Sequence, residues 1–303
     1  MHSIVICIPT YKRPLMLKKL VLSIKDCNFN SSLIKNVDII IVDNDIERSA
    51  EEVITEMKKD FNCDIKIDYY NMPVKGISNV RNELLKKALE LKTDFIVFID
   101  DDEYVTADWL NELVNSILNN NADAVRGPVL AKTDHDIPDY ISCWFERESY
   151  ADNSTLKTLT TGNLIIKRAS LELYDVWFDN RFNIIGSGDS YFGIQLLNKG
   201  AKFCWAAKAI VYETIPESRA NINWLIKRIY RGASTYSYVL KLEKRYFKII
   251  KKIFISLIYI LGGTLALIII PVPVKKRYWG ILKLSEGVGG LTGLFDMLYF
   301  EYK

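Results

Sequence analysis

Phe95-Ile96-Val97-Phe98-Ile99-Asp100-Asp101-Asp102-Glu103 joins five consecutive β-branched or aromatic residues to four carboxylates. A run that is apolar at every position predicts a strand covered on both faces, the kind that builds a parallel sheet. The carboxylates begin where that strand must leave the sheet. Like charges packed this tightly repel, and a divalent cation held by oxygen ligands, Mg²⁺ or Mn²⁺, relieves them. A solvated acidic loop that caps a helix from Thr106 or Asp108 is the bland alternative.

The residues upstream favour the first reading. Ile4-Val5-Ile6-Cys7-Ile8 is a second buried-type strand, ended by Pro9-Thr10-Tyr11-Lys12-Arg13-Pro14, after which Leu17, Leu20, Val21 and Ile24 recur at helical spacing. Val37 to Val42 predicts another strand that ends in Asp43-Asn44-Asp45, followed by a short helix from Ala50 to Lys59 and a strand from Ile65 to Tyr70. From Gly76 a helix runs through Val80, Leu84, Ala88 and Leu91 into the central strand. This alternation predicts an α/β fold, a mostly parallel sheet wrapped by helices. Ligands of such sheets sit at the carboxyl ends of the strands, where the polar clusters 10–13, 43–45 and 100–103 fall. No glycine-rich phosphate loop follows the first strand, so a bound diphosphate needs its charge balanced by a metal and by Lys12, Arg13 or Arg81.

Downstream, Ala122 to Leu130 predicts a strand, 131–157 a polar loop region with a Trp144-Phe145 insert, and Thr161 to Ile166 a turn into a strand. Gly186-Ser187-Gly188-Asp189-Ser190 sets Asp189 at a helix start, either as a plain N-cap or as a functional carboxylate. Phe203 to Glu213 reads as a further strand and Trp224 to Leu240 as a helix with Lys227, Arg228 and Arg231 on one face.

Composition sets bounds. The 303 residues are 49% hydrophobic and 12% aromatic with a net charge of +3, which fits an ordered globular protein with ample core. Two histidines, His2 and His135, argue against zinc-hydrolase and histidine-triad chemistry. Five cysteines without CxxC spacing predict reduced, buried thiols in a cytosolic domain, no signal peptide opens the chain, and the sequons at Asn30 and Asn153 would stay unmodified there.

The stretches Ile8 to Arg13, Val42-Asp43-Asn44, Gly76 to Asn82, Phe98 to Glu103, Thr161-Gly162-Asn163, Gly188-Asp189-Ser190 and Trp224 to Gly232 resemble, in order, those of a family 2 glycosyltransferase with the GT-A fold. The resemblance covers about residues 3 to 235. It implies that Pro9, Thr10 and Tyr11 lie along the base and ribose of a nucleotide-sugar donor, with Asp43 accepting a hydrogen bond from the base and Asn44 and Arg13 beside it. Asp100 and Asp101 would meet the ribose or sugar, Asp102 the metal, and Arg81 a phosphate or the donor sugar. Asp189 falls where the family places its catalytic base, usually in a Glu-Asp pair, but Gly188 precedes it here. Many relatives add a histidine metal ligand after the last core strand; this chain reads Val211-Tyr212-Glu213, which leaves either phosphate and water or Glu213. Arg228 and Arg231 resemble a segment that closes over the diphosphate, and Gly162 and Asn163 would lie near an acceptor site.

The tail has its own pattern. Ile253 to Val274 is uncharged, about 33 Å as a helix against a hydrocarbon core of about 30 Å. Basic clusters flank it, at Lys241 to Lys252 and at Lys275-Lys276-Arg277, whereas a crossing helix shows its excess on one side. Tyr278 to Phe300 reads as an amphipathic interfacial segment. The expected organisation is therefore a GT-A domain over 1–240 and a membrane-associated helical region over 241–303, monotopic or single-span, on the cytoplasmic face of a bacterial inner membrane. The function expected is inverting transfer from a nucleotide sugar, UDP-linked, to a hydroxyl of a glycan or lipid-linked acceptor, without nucleic acid. Transfer to polyprenyl phosphate, or a silent nucleotide-sugar-binding scaffold, are the competing readings.

Overall fold

The computed structural model describes residues 1–60, 65–146, 149–268 and 274–300. Cys63 and the prolines at 271 and 273 lie outside the described residues. The expected α/β order begins as β1 (His2–Thr10), α1 (Pro14–Lys25), β2 (Ile34–Asp43), α2 (Glu51–Asp60), β3 (Ile65–Asn71) and α3 (Ile77–Glu90). It continues with β4 (Phe95–Phe98), β5 (Glu103–Val105), α4 (Trp109–Asn119), β6 (Ala124–Arg126) and β7 (Val129–Lys132). After α5 (Asp139–Ser142) come β8 (Thr155–Leu156), β9 (Leu164–Lys167), α6 (Arg168–Tyr174), α7 (Gly188–Asn198), β10 (Phe203–Trp205) and β11 (Val211–Thr214). Three long helices follow, α8 (Ile222–Leu242), α9 (Tyr246–Ile268) and α10 (Val274–Thr292).

The main sheet has the order β3-β2-β1-β4-β9-β6-β10-β8, and a small one the order β5-β11-β7. β3, β2, β1 and β4 are parallel neighbours. Because side chains alternate across a strand, Ile4, Ile6 and Ile8 pack with Leu17, Leu20, Val21 and Ile24 of α1 on one face, and Val5 and Cys7 with Val80, Leu84 and Ala88 of α3 on the other. That two-sided burial is why these strands read as unbroken apolar runs. Chain direction puts β2 and β4 on opposite sides of β1, so strand order reverses between β1 and β4, and the crevice beyond their carboxyl ends is where such sheets bind ligands.

Two expected strands are each divided. Ala122 to Leu130 breaks at Gly127-Pro128 into β6 and β7, which enter different sheets. Proline has no N–H for a ladder, and a Cβ on Gly127 would lie 2.4 Å from the Ala209 carbonyl oxygen. Phe203 to Glu213 likewise divides into β10 and β11 around a turn in which Ala209 N donates to Ala206 O at 3.2 Å. Of the cysteines, Cys7 and Cys204 are buried as expected, whereas Cys143 is exposed; these and Cys27 are free thiols.

The chain forms two compact units. The first comprises Met1–Lys132, Arg147–Asn183 and Gly188–Thr214, and holds both sheets. The second comprises Thr133–Glu146, Ile184–Ser187 and Ile215–Lys303, and holds α5 and the three long helices. Within it, Asn221 caps α8 by accepting from Trp224 N at 3.0 Å, and Leu225 packs with Ile141 and Leu282. Among the described residues, α9 is the one helix long and apolar enough to cross a membrane, with a mean hydropathy of 1.8 in its best window.

Candidate active site

The reversal between β1 and β4 brings together two of the polar clusters. Thr10 Oγ1 donates to Asp101 Oδ2 at 2.8 Å, and Arg13 Nη1 donates to Asp101 Oδ1 at 3.0 Å and to Asp102 Oδ2 at 2.9 Å. Burial raises Asp101 to about 6, against the opposing pull of Arg13. Pro9 is buried within β1, while Tyr11, just beyond its end, is 41% exposed and presents a ring to solvent. Lys12 has φ 54° and reaches Asp45 at 3.8 Å.

Asp43, at the end of β2, is fully buried. It accepts from Asp45 N at 2.9 Å, Ala50 N at 3.1 Å and Tyr69 Oη at 3.0 Å. Its carboxylate shapes the turn into α2 and has no surface facing solvent. Asn44 is also committed, donating to the carbonyls of Met72 at 2.6 Å and Val74 at 2.9 Å and accepting from Gly76 N at 3.1 Å. These two residues therefore hold the 72–76 loop in place beside the site.

Gly76 begins α3 with φ 137°, and a Cβ there would fall 2.3 Å from Asn183 Oδ1. That approach lets Asn183 close the helix start: Oδ1 accepts from Asn79 N at 2.9 Å, Nδ2 donates to Asn79 Oδ1 at 3.1 Å, and its carbonyl accepts from Ile77 N at 3.3 Å. Asn183 thus ties α3, which carries Arg81, to the chain just before Asp189. No local pattern marks it in the sequence, because its partner is 104 residues away. Arg81 is buried, contacts Asp100 Oδ1 at 3.4 Å and stacks over Phe178.

The carboxylates beyond β4 converge with others. Burial raises the Asp100 pKa; Arg81 lowers it, and the charges of Asp102, Asp189 and Glu213 raise it again. Glu103 accepts from Asp100 N at 3.0 Å and is pushed well above the ordinary range, first by burial and then by Asp100. Asp189 lies in the first turn of α7, partly exposed, and accepts from Ser190 N at 2.8 Å. It therefore serves as a helix-start acceptor, and its charge also acts on Asp100. A side chain at the position before it is crowded: a Cβ on Gly188 would lie 3.1 Å from both Phe182 Cβ and Ser78 Oγ, so these neighbours would have to give by a few tenths of an ångström.

Gly162 sits against Glu103, whose Oε1 would be 2.9 Å from an added Cβ. Asn163 is fully buried with φ 55°; its amide donates to Pro128 O at 2.9 Å and Ala209 O at 2.6 Å and accepts from Trp109 Nε1 at 2.7 Å. Three of the four hydrogen-bond positions of the Asn163 amide are thus engaged in bracing the segments at Pro128, Ala209 and Trp109. Arg228 and Arg231 lie on α8 in the second unit, Arg228 over the ring of Trp224 at 5.0 Å.

The donor set suits a hard divalent cation. Asp100, Asp102 and Glu213 offer carboxylate oxygens whose charges repel one another, and such hard oxygen ligands are the ones Mg²⁺ or Mn²⁺ take. Among the described residues no three His, Cys, Asp or Glu side chains form a ready metal cage.

The fold is that of the GT-A class. The model of the family described as glycosyl transferase family 2 matches residues 5–174, and the chain belongs to that family. A curated relative, the succinoglycan biosynthesis protein ExoM of Rhizobium meliloti (strain 1021), is 29% identical over 211 residues, 67% of this chain and 64% of that protein. Of solved structures, the mannosyltransferase PcManGT from Pyrobaculum calidifontis, in complex with GDP-Man and Mn²⁺, has a TM-score of 0.63 at 14% identity, covering 97% of this chain and 87% of that one. S. aureus TarS 1-349 in complex with UDP-GlcNAc has a TM-score of 0.56 at 14% identity, covering 99% and 97%.

Proposed function

We propose that this chain is an inverting, membrane-associated glycosyltransferase that moves a sugar from a UDP-linked donor to a hydroxyl of a glycan or lipid-linked acceptor in exopolysaccharide assembly. The observation that carries the reading is the convergence of the charges of Asp102, Asp189 and Glu213 on the part-exposed Asp100 carboxylate, beside Arg13 and Arg81. The UDP-sugar held by TarS and the biosynthetic role of ExoM support it.

Tyr11 offers a face for the base, and Arg81 and Arg13 offer charge-assisted donors to the diphosphate. Asp102, with Asp100 or Glu213, would hold Mn²⁺ or Mg²⁺, which when bound supplies positive charge against the departing diphosphate. Asp189 takes the proton of the acceptor hydroxyl as its oxygen bonds to the anomeric carbon; the C–O bond to the diphosphate breaks on the opposite face, which gives inversion. Arg228 and Arg231 are assigned to the diphosphate on the resemblance alone.

Calorimetry of UDP binding with Mn²⁺ and with EDTA, on wild type and Asp102→Asn, tests the donor site. Binding that needs both metal and Asp102 is expected. Binding indifferent to both would remove the metal from the mechanism, and no binding would return the acidic cluster to a surface loop.

A further inference from the structure

In α9 the apolar residues are turned outward. Phe247, Ile250, Phe254, Ile258, Leu261, Leu265 and Ile268 recur at intervals of three and four, and each is at least half exposed. Its inward face is small: Ser256 and Gly263 are its buried residues. Added Cβ atoms would collide across this seam, from Gly263 to Gly280 O at 2.6 Å and from Gly287 to Ser256 O at 2.6 Å, so α9 and α10 lie against each other along most of their length. On its far side α10 packs as closely on α8: Gly289 meets Tyr230, Gly293 meets Ser234, and Ser237 Oγ donates to Gly290 O at 2.7 Å. The layer order is α8, α10, α9.

That order bears on how an apolar helix can meet a bilayer. Midway along α9, Tyr259 lies under the Lys283 ammonium of α10 at 4.3 Å, and Lys283 pairs with Glu286 at 2.7 Å. If α9 crossed the membrane upright, this charged pair would sit at mid-depth, where ionised side chains are costly. Lying flat, α9 buries the outward stripe and leaves α10 and α8 in water. Lys244 just before α9, and Lys248 and Lys251 in its first two turns, are exposed beside the start of the stripe, where their stems can follow apolar surface and their ammoniums reach headgroups.

We propose that α9 is an in-plane membrane anchor that sinks its outward stripe into one leaflet rich in anionic lipid, with Lys244, Lys248 and Lys251 on the headgroups. The inference deepens the membrane association proposed above and rests on it, but fixes its geometry.

The full chain would be mixed with phosphatidylcholine vesicles with and without 30% phosphatidylglycerol (on the order of the anionic content that recruits polybasic surfaces) and floated on a gradient. Wild type should float with the anionic vesicles, Phe254→Glu/Leu261→Glu should not, and Lys248→Glu/Lys251→Glu should lose binding several-fold. Unchanged far-ultraviolet circular dichroism would show that the variants remain folded, since these side chains face outward. Fluorophores placed in turn at 250, 258 and 265, in a Cys143→Ser background, should be quenched by spin-labelled lipids at one shallow depth. A depth that increases steadily from 250 to 265 would overturn the in-plane anchor while leaving membrane association intact. Failure to float would overturn both, and a dimer lost in Phe254→Glu/Leu261→Glu would assign the stripe to a second copy instead.

Discussion

Glu103 and Glu213 stand directly opposite one another in the antiparallel pairing of β5 with β11, both buried. Like charges so placed destabilise a sheet. Burial first, then the charges of Asp100 and Asp102, with Glu213 adding least, make Glu103 hold its proton to higher pH than a free glutamate. Above the ordinary glutamate range an unfolded chain has released this proton while the folded chain retains it, so folded-state stability from this group rises as pH falls. Glu103→Gln should therefore raise Tm at pH 8, with the gain shrinking towards pH 5, as thermal melts of both proteins across that range would reveal. A Tm difference that does not change with pH would mean the glutamate is ionised throughout.

Asp189→Ala should lower kcat by roughly 10² to 10⁴, the usual worth of a general base. UDP affinity should stay within error, because the donor-side residues are untouched. A full rate in the variant would favour an anionic acceptor such as polyprenyl phosphate, which needs no base.

Gly188→Glu restores the family's acidic pair on paper, yet the position is wedged between Phe182 and Ser78. The substitution should cost about 1 to 3 kcal/mol through overpacking and leave turnover no faster than wild type. Denaturant melts and initial rates give both numbers.

Asn183→Ala removes both side-chain bonds to Asn79 and should destabilise by about 1 to 3 kcal/mol. Because Arg81 and Asp189 lose their common tie, kcat/KM should fall further than Tm alone accounts for. An unchanged kcat/KM at a temperature where the variant is folded would show the tie to be structural only.

How much of this was legible depended on whether the signal was local. The five apolar residues before Asp100 announce a two-sided strand because burial on both faces removes alternation, and the carboxylates after it are visible as charge. Ala122 to Leu130 reads as one strand because apolar residues stand on both sides of Gly127-Pro128, whereas tertiary pairing sends each half to a different sheet. Asp43 and Asn163 were found as residues of the site's neighbourhood, but the commitments of the Asn163 amide are to partners 35 to 54 residues away and are set by folding, not by spacing. Asn183 carried no signal at all. The outward turn of α9 was hidden too, since composition gives the apolar content of a helix and not which neighbour claims its small face.

The single amide of Asn163 joins the strand start at β9, the Pro128 bend before β7, the Ala209 turn before β11 and the indole of α4. Elements so linked cannot open one at a time. The backbone amides of β7, β9 and β11 should exchange with deuterium as one cooperative block, with a common opening free energy close to that of global unfolding. The floor of the cleft would then be among the last parts of the protein to melt, while the loops around it remain free to move.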